Sequence, residues 1–203
     1  MDVWETVLAE SSADAVDFAG SEYAALIGAV RRLQDLMAST SPPTDAMAEA
    51  TNHLRSATEV LQRWPLPSTH IGIGRRSDLP GRGSPLLPPF VYTERSDDSV
   101  AGHVVFTPYY IGGNRAAHGG SVTLFFDELL GRLSNSSGRP KARTAYLHIN
   151  YRDVTPIDVD LRFDASLDRT EGRKRFVSGR LFEDNTLVAD AQGLFVILLA
   201  GQP

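Results

Sequence analysis

The sequence predicts an α+β fold in which one long helix lies against a large antiparallel sheet. Three observations carry this. Four runs in the C-terminal half, 143–154, 158–169, 173–182 and 187–199, have the length of strands, and the first two alternate clearly with period two. The later runs are joined by Thr170-Glu171-Gly172 and Glu183-Asp184-Asn185. Turns this short join antiparallel neighbours, because parallel pairs need a long crossover. A single amphipathic segment beginning at His118 interrupts the strands with apolar residues at helical spacing.

Taken in order, the chain starts with a helical extension over 1–64. Asp14 to Met37 carries Val16, Tyr23, Leu26, Ile27, Val30 and Leu33 as a helical stripe. Ser41-Pro42-Pro43 breaks it, and Thr44 to Trp64 reads as a second helix with Met47, Leu54, Ala57, Val60, Leu61 and Trp64 on one side. This extension holds ten acids against four arginines, which argues against a DNA-reading helix-turn-helix. Residues 65–87 are rich in proline and glycine and read as a linker, or as a loop draped over the following domain, 88–203. Arg75, Arg76 and Arg82 in that stretch are read as solvated linker charge in preference to a basic patch for a phosphorylated ligand. Phe90 to Glu94 and Val100 to Tyr110 are strands, the key helix follows, and the four later strands form a meander. A twisted sheet of five to six strands curling round the helix buries the helix's apolar face.

Bulk composition narrows the function. A net charge of −5 disfavours a nucleic-acid partner, and no run approaches eighteen apolar residues, so no membrane span is expected. The first residues show no secretory signal and the chain has no cysteine, which excludes disulfides, thiolate metal sites and a cysteine nucleophile and fits a cytoplasmic protein. The five histidines are scattered and no metal site or cofactor is expected; neither a P-loop nor a Gly-x-Ser-x-Gly elbow is present.

The chemistry concentrates at His118-Gly119-Gly120-Ser121-Val122-Thr123-Leu124-Phe125-Phe126-Asp127-Glu128. Glycines opening a helix leave backbone N–H groups bare at the positive end of the helix dipole, where an anion or a developing oxyanion is favoured. Val122, Phe125, Phe126, Leu129, Leu130 and Leu133 face the sheet. Gly120, Thr123, Asp127 and Gly131 form another, nearly bare side that a ligand or a second subunit can approach. Glu128 lies roughly 100° further round and four residues before Arg132, the order of a surface ion pair, so the chemistry falls to Asp127. From helix periodicity alone an exposed acid on a solvated face is the favoured reading of Asp127, and His118 can likewise be a cap-region histidine bonded to local backbone.

His118-Gly119-Gly120 opening a helix, Asp127 nine residues after the histidine, and the strand Thr144-Ala145-Tyr146-Leu147-His148-Ile149-Asn150-Tyr151 together resemble the hotdog-fold acyl-CoA thioesterases of the PaaI-like kind over about residues 88–199. The resemblance implies a hotdog fold, an acyl-CoA substrate, and a homodimer or homotetramer with active sites between subunits. It implies that the Gly119 or Gly120 N–H polarises the thioester carbonyl, that Asp127 activates water or attacks directly, that Thr144 orients the carboxylate or the water, and that His118 braces the turn. Asn114, Ser121 and Thr123 are carried as substrate-binding candidates. Relatives place a water-holding Asn further before the histidine; Asn114 either substitutes for it or is a turn residue. The alternative from another class is a non-catalytic acyl-CoA-binding or regulatory hotdog protein. The Asp and His five apart of the hotdog hydratases are not found at the key helix.

Overall fold

The computed structural model describes residues 20–65, 73–199 and 201. The elements are α1 (Gly20–Ser39), α2 (Thr44–Leu61), β1 (Phe90–Arg95), β2 (Ser99–Val104), α3 (Gly119–Ser134), β3 (Ala142–Tyr151), β4 (Leu161–Glu171), β5 (Lys174–Glu183) and β6 (Thr186–Ile197). The expected start of the first helix, Asp14, lies outside the described residues. The second expected strand is shorter than the sequence suggests. It ends at Val104, where the Val105 N–H turns away to bond the Pro89 carbonyl, and Pro108, which has no N–H to donate to a ladder, opens a short 3₁₀ turn over Pro108–Tyr110.

All six strands form one antiparallel sheet in the order β1-β2-β4-β5-β6-β3. The expected four-strand meander is therefore corrected to three. β4, β5 and β6 are joined by tight turns, but β3 sits at the far edge, paired with β6 and separated from β4 by two strands. The reason lies in the connection between β3 and β4. It is too long for a hairpin and is pinned under the loop before α3: the Ala117 N–H donates to the Thr155 carbonyl, and the Asp158 N–H to the Phe106 carbonyl.

The helix α3 lies on the concave side of this sheet. Val122, Phe125, Phe126, Leu129, Leu130 and Leu133 are buried, as their spacing requires. Phe125 is the hub, with ring centroids 5.8 Å from Phe90, 6.2 Å from Phe106, 5.4 Å from Phe126 and 5.2 Å from Phe163. At its C-terminal end, Arg175 is buried and donates to the carbonyls of Ser134 (2.6 Å) and Pro140 (2.9 Å). A cation there meets the negative end of the helix dipole, and burial lowers its pKa from the ordinary arginine value.

The α1 helix packs along the stripe Tyr23, Ile27, Arg31 and Gln34, spaced to share one face. It lands on the 73–89 segment. Tyr23 Oη donates to the Gly83 carbonyl (3.0 Å), and Arg31 donates to the carbonyls of Ser84 (2.6 Å), Leu87 (3.1 Å) and Pro80 (3.3 Å). One guanidinium thus satisfies three backbone acceptors in a stretch with few ladder bonds of its own.

Solvated charge is the wrong reading for two of the three arginines here. Arg76 is buried and forms a forked pair with Asp78 (2.6 and 2.8 Å), while Arg82 donates to the Gly74 carbonyl (3.0 Å); Arg75 is exposed. The chain folds back on itself, so these charges are met locally. The Arg76 hydrogen bond holds the Asp78 carboxyl below its usual range. A depressed folded-state pKa contributes stability above the unfolded value of about 3.9 and loses it as pH falls through the folded value. Asp78→Asn is therefore expected to destabilise at neutral pH, with the gap to wild type closing below about pH 4. Denaturant midpoints measured across that range check it, and a gap independent of pH would contradict it.

Candidate active site

Two groups of polar residues flank the outer side of α3, one at its start and one at its middle. The first is built on the helix start. His118 is the N-cap, and its ring Nδ1 accepts the Gly120 N–H at 3.0 Å, so that nitrogen carries no proton. The Ser121 and Val122 amides bond the His118 carbonyl. The Gly119 N–H has no hydrogen-bond partner among the described residues. Bulk explains the two glycines. A Cβ at residue 120 would stand 3.0 Å from the His118 Nδ1, and one at 119 would stand 3.2 Å from the Tyr151 hydroxyl. That hydroxyl donates to the Gly119 carbonyl (2.8 Å) and lies 2.9 Å from Thr123 Oγ1, itself 3.0 Å from the same carbonyl. Asn114 sits in the left-handed region (φ 55°), which Asn tolerates, so the turn role is met. The Ser121 and Asn114 side chains make no hydrogen bond among the described residues.

The second group centres on Asp127, which is exposed and accepts a hydrogen bond from Thr144 Oγ1 at 3.1 Å. A cleft of about 230 Å³ opens here, with Asp127, Arg132, Arg143, Thr144 and Phe195 in its walls. Arg143 has no ion-pair partner among the described residues. Glu128 pairs with Arg132 (2.6 Å) as its spacing implies. Its side chain is only 20% exposed and also faces Arg82 at 3.7 Å, so the pair is half-buried and not on the open surface.

Strict alternation puts Thr144 and Tyr151 on opposite faces of β3, yet both reach α3. The register between β3 and β6 slips between Thr144 and Tyr146, where an extra residue enters the strand. A bulge of this kind re-aims one side chain relative to the others. It turns Thr144 to the same face as Tyr151, and it corrects the facing expected from the sequence. Tyr151 and Arg82 are the site residues that sequence reading missed. The first was hidden by the bulge; nothing local marks the second, which arrives through the folded 73–89 loop.

The two groups are separate within one chain. Gly119 and Asp127 are eight residues apart on one helix, about 12 Å along its axis, too far for both to touch one thioester carbonyl. A larger cavity of about 500 Å³ lies elsewhere, between α1 and the Thr107–Tyr110 turn, with Ile27, Arg32, Asp35, Pro108, Tyr110 and Asp158 among its walls. Burial and the nearby Asp35 raise the Asp158 pKa there, and burial pushes the Tyr110 phenol up to about 12. None of the candidate catalytic or substrate-binding residues named from the sequence lines it. No group of three His, Asp or Glu residues among those described is placed to hold a metal ion, and no described helix is long and apolar enough to cross a membrane.

One long helix cradled by a six-stranded antiparallel sheet in this order, with a glycine-capped helix start and an acid two turns in, defines a hotdog protein carrying an N-terminal helical extension. No family model matches the chain. The acyl-coenzyme A thioesterase THEM4 of Bos taurus is 33% identical over 93 residues, which are 45% of this chain and 38% of that protein, and THEM4 of Mus musculus is 33% identical over 88 residues, 42% and 37%. The matched stretch thus spans less than two fifths of these curated relatives. A crystal structure of a thioesterase superfamily protein superposes with a TM-score of 0.75 at 26% identity, covering 90% of this chain and 93% of that one, a share that cannot be reached without the N-terminal helices. A hypothetical thioesterase with coenzyme A from Streptococcus pneumoniae TIGR4 shares the fold at a TM-score of 0.50 and 16% identity, covering 53% and 87%. The chain is thus similar to hotdog-fold thioesterases, in fold over nearly its whole length and in sequence over less than half of it.

Proposed function

We propose that this protein hydrolyses acyl-CoA thioesters as a dimer whose active sites are shared between two copies. The observation that carries the reading is the pairing of a free amide, Gly119 N–H, with a hydroxyl-held carboxylate, Asp127, on one side of a helix but about 12 Å apart. An antiparallel partner repairs that separation. β3 is an edge strand with most of its residues exposed, and a long open edge is a template for pairing. Antiparallel pairing of two β3 strands about their middle brings Thr144 of one copy towards Tyr151 of the other. Asp127 of one copy then approaches Gly119 of its mate.

In such a site the thioester carbonyl oxygen sits at the Gly119 N–H, where the helix dipole adds to the hydrogen bond. Asp127 takes a proton from water as the water oxygen attacks the carbonyl carbon. The C–S bond then breaks, the proton passes to the departing CoA thiolate, and free acid is left. Direct attack by the carboxylate leads to the same products through an anhydride that water opens. Thr144 holds the carboxylate in one orientation. His118 accepts Gly120's N–H and so sets the helix start without offering a second oxyanion donor. The names of the THEM4 relatives and the CoA in the pneumococcal neighbour support the substrate class, and Arg143 at the cleft supplies a cation for a phosphorylated carrier. A cytoplasmic setting is in keeping with a chain that has no cysteine.

The test is release of free CoA from a panel of acyl-CoAs, followed by complementation. Asp127→Asn and Gly119→Val dimers are each expected to be inactive, while co-expressed mixtures regain turnover, because a mixed dimer keeps one intact pair of halves. Wild type inactive on every acyl chain would favour the binding-protein reading. Failure of the mixture to regain activity would place both halves in one copy.

A further inference from the structure

The second extension helix, α2, has no buried residue, and among the described residues no other element packs along it. An eighteen-residue helix with nothing against it is marginal in water, since helices in proteins take most of their stability from a packed face. Its surface has a seam. Met47, Leu54 and Leu61 recur every seven residues, and Ala50 and Ala57 recur every seven residues between them, the a and d positions of a heptad, with Trp64 in the turn just past the helix end. The large members are exposed, from 43% at Leu54 to 54% at Leu61.

We infer that α2 pairs antiparallel with the α2 of a second copy of this chain. The order of sizes along the seam selects that occupant. When two copies run antiparallel, a positions meet d positions. Leu54 then lies against Ala57 of the second copy, and Ala50 against Leu61. Every alanine faces a leucine, and the helix complements itself, large into small, as interdigitating layers require. In a parallel pair the two alanine layers would face each other as gaps.

The flanks agree. Asp45, Glu49, Arg55, Glu59 and Arg63 all fall on the outer side, so no like charges meet across the two-fold axis. Thr51 and Thr58 border the seam, and each hydroxyl donates to its own helix, to the Met47 carbonyl (2.8 Å) and the Leu54 carbonyl (2.9 Å), so neither needs water. On the other border His53 lies beside Val60 of the second copy. The helix is about 27 Å long, so the pair covers only part of the ~1,600 Å² of a standard interface. It is one contact of a larger assembly and not a stable dimer by itself.

The chain's lack of cysteine makes the register testable. Single-cysteine Leu54→Cys and Ala57→Cys proteins, mixed and treated with a short bis-maleimide, are expected to cross-link to a double-mass species well above the level reached by Asn52→Cys on the outer side. Leu54→Asp is expected to weaken self-association by about tenfold or more, as an unpaired charge in an apolar seam does. Sedimentation over a concentration series reads this, with the thermal midpoint of the sheet domain unchanged. Cross-linking no stronger than that of Asn52→Cys overturns the pairing, whether the chain is monomeric with the seam covered by its own residues or assembles through other surfaces. Binding of the wild type to lipid vesicles without self-association assigns the seam to a membrane surface and overturns it too. Equal cross-linking in all combinations overturns the antiparallel register.

Discussion

Asp127→Asn is expected to lower the turnover of acyl-CoA thioesters by ~10²–10⁴-fold, the usual contribution of a positioned general base, and by more if the carboxylate itself attacks. The substitution removes the basic oxygen and little else. The Thr144 hydroxyl donates to one side-chain oxygen of Asp127, and an asparagine carbonyl oxygen can accept the same bond. The side chain is exposed and carries no core contact, so stability and oligomeric mass should match wild type. The measurement is free-thiol release under single-turnover and steady-state conditions, with circular dichroism as the control for folding. Undiminished turnover in a folded variant would remove Asp127 from the chemistry and leave the glycine-capped helix start as a binding feature.

Phe125→Ala is expected to destabilise the protein by about 3–5 kcal/mol, the range for truncating a fully buried aromatic. Phe125 has no exposed surface and touches four other aromatic rings contributed by β1, β4, α3 and the segment after β2. Those elements come from three separate stretches of chain, so collapse around the lost ring would have to move all of them. At this chain length the loss corresponds to roughly 10 °C or more in Tm. Denaturant unfolding should show a lower midpoint with an unchanged slope. A loss under about 1 kcal/mol would mean that the neighbouring rings close over the gap.

Much of the architecture was legible before any coordinates. The apolar spacing from Val122 to Leu133 identifies the buried face of α3, and every one of those residues is buried. Five of the six strands fall within about three residues of their expected bounds, because alternation and tight turns are local signals. The errors share a cause. β3 was placed beside β4 because neighbours in sequence usually pair, but the long connection pinned under the helix start carries the chain to the other edge. Arg76 and Arg82 were read as solvated because their partners, Asp78 and the Gly74 carbonyl, meet them only through the fold of a proline- and glycine-rich loop.

The same division runs through the candidate site. Residue types and spacing by themselves identified a capped helix start with His118, Gly119 and Gly120 and singled out Asp127 from Glu128, and the family resemblance nominated the strand beginning at Thr144. These depend on helix and strand periods, which one chain segment sets alone. Two further facts needed the tertiary structure. The β3 bulge brings Thr144 and Tyr151 to the same face. The His118 ring occupies the Gly120 N–H, so a single free amide, that of Gly119, is left at the helix start. Each depends on how distant segments are held against one another, information that is carried by packing and hydrogen bonds between elements and not by the period of any one of them.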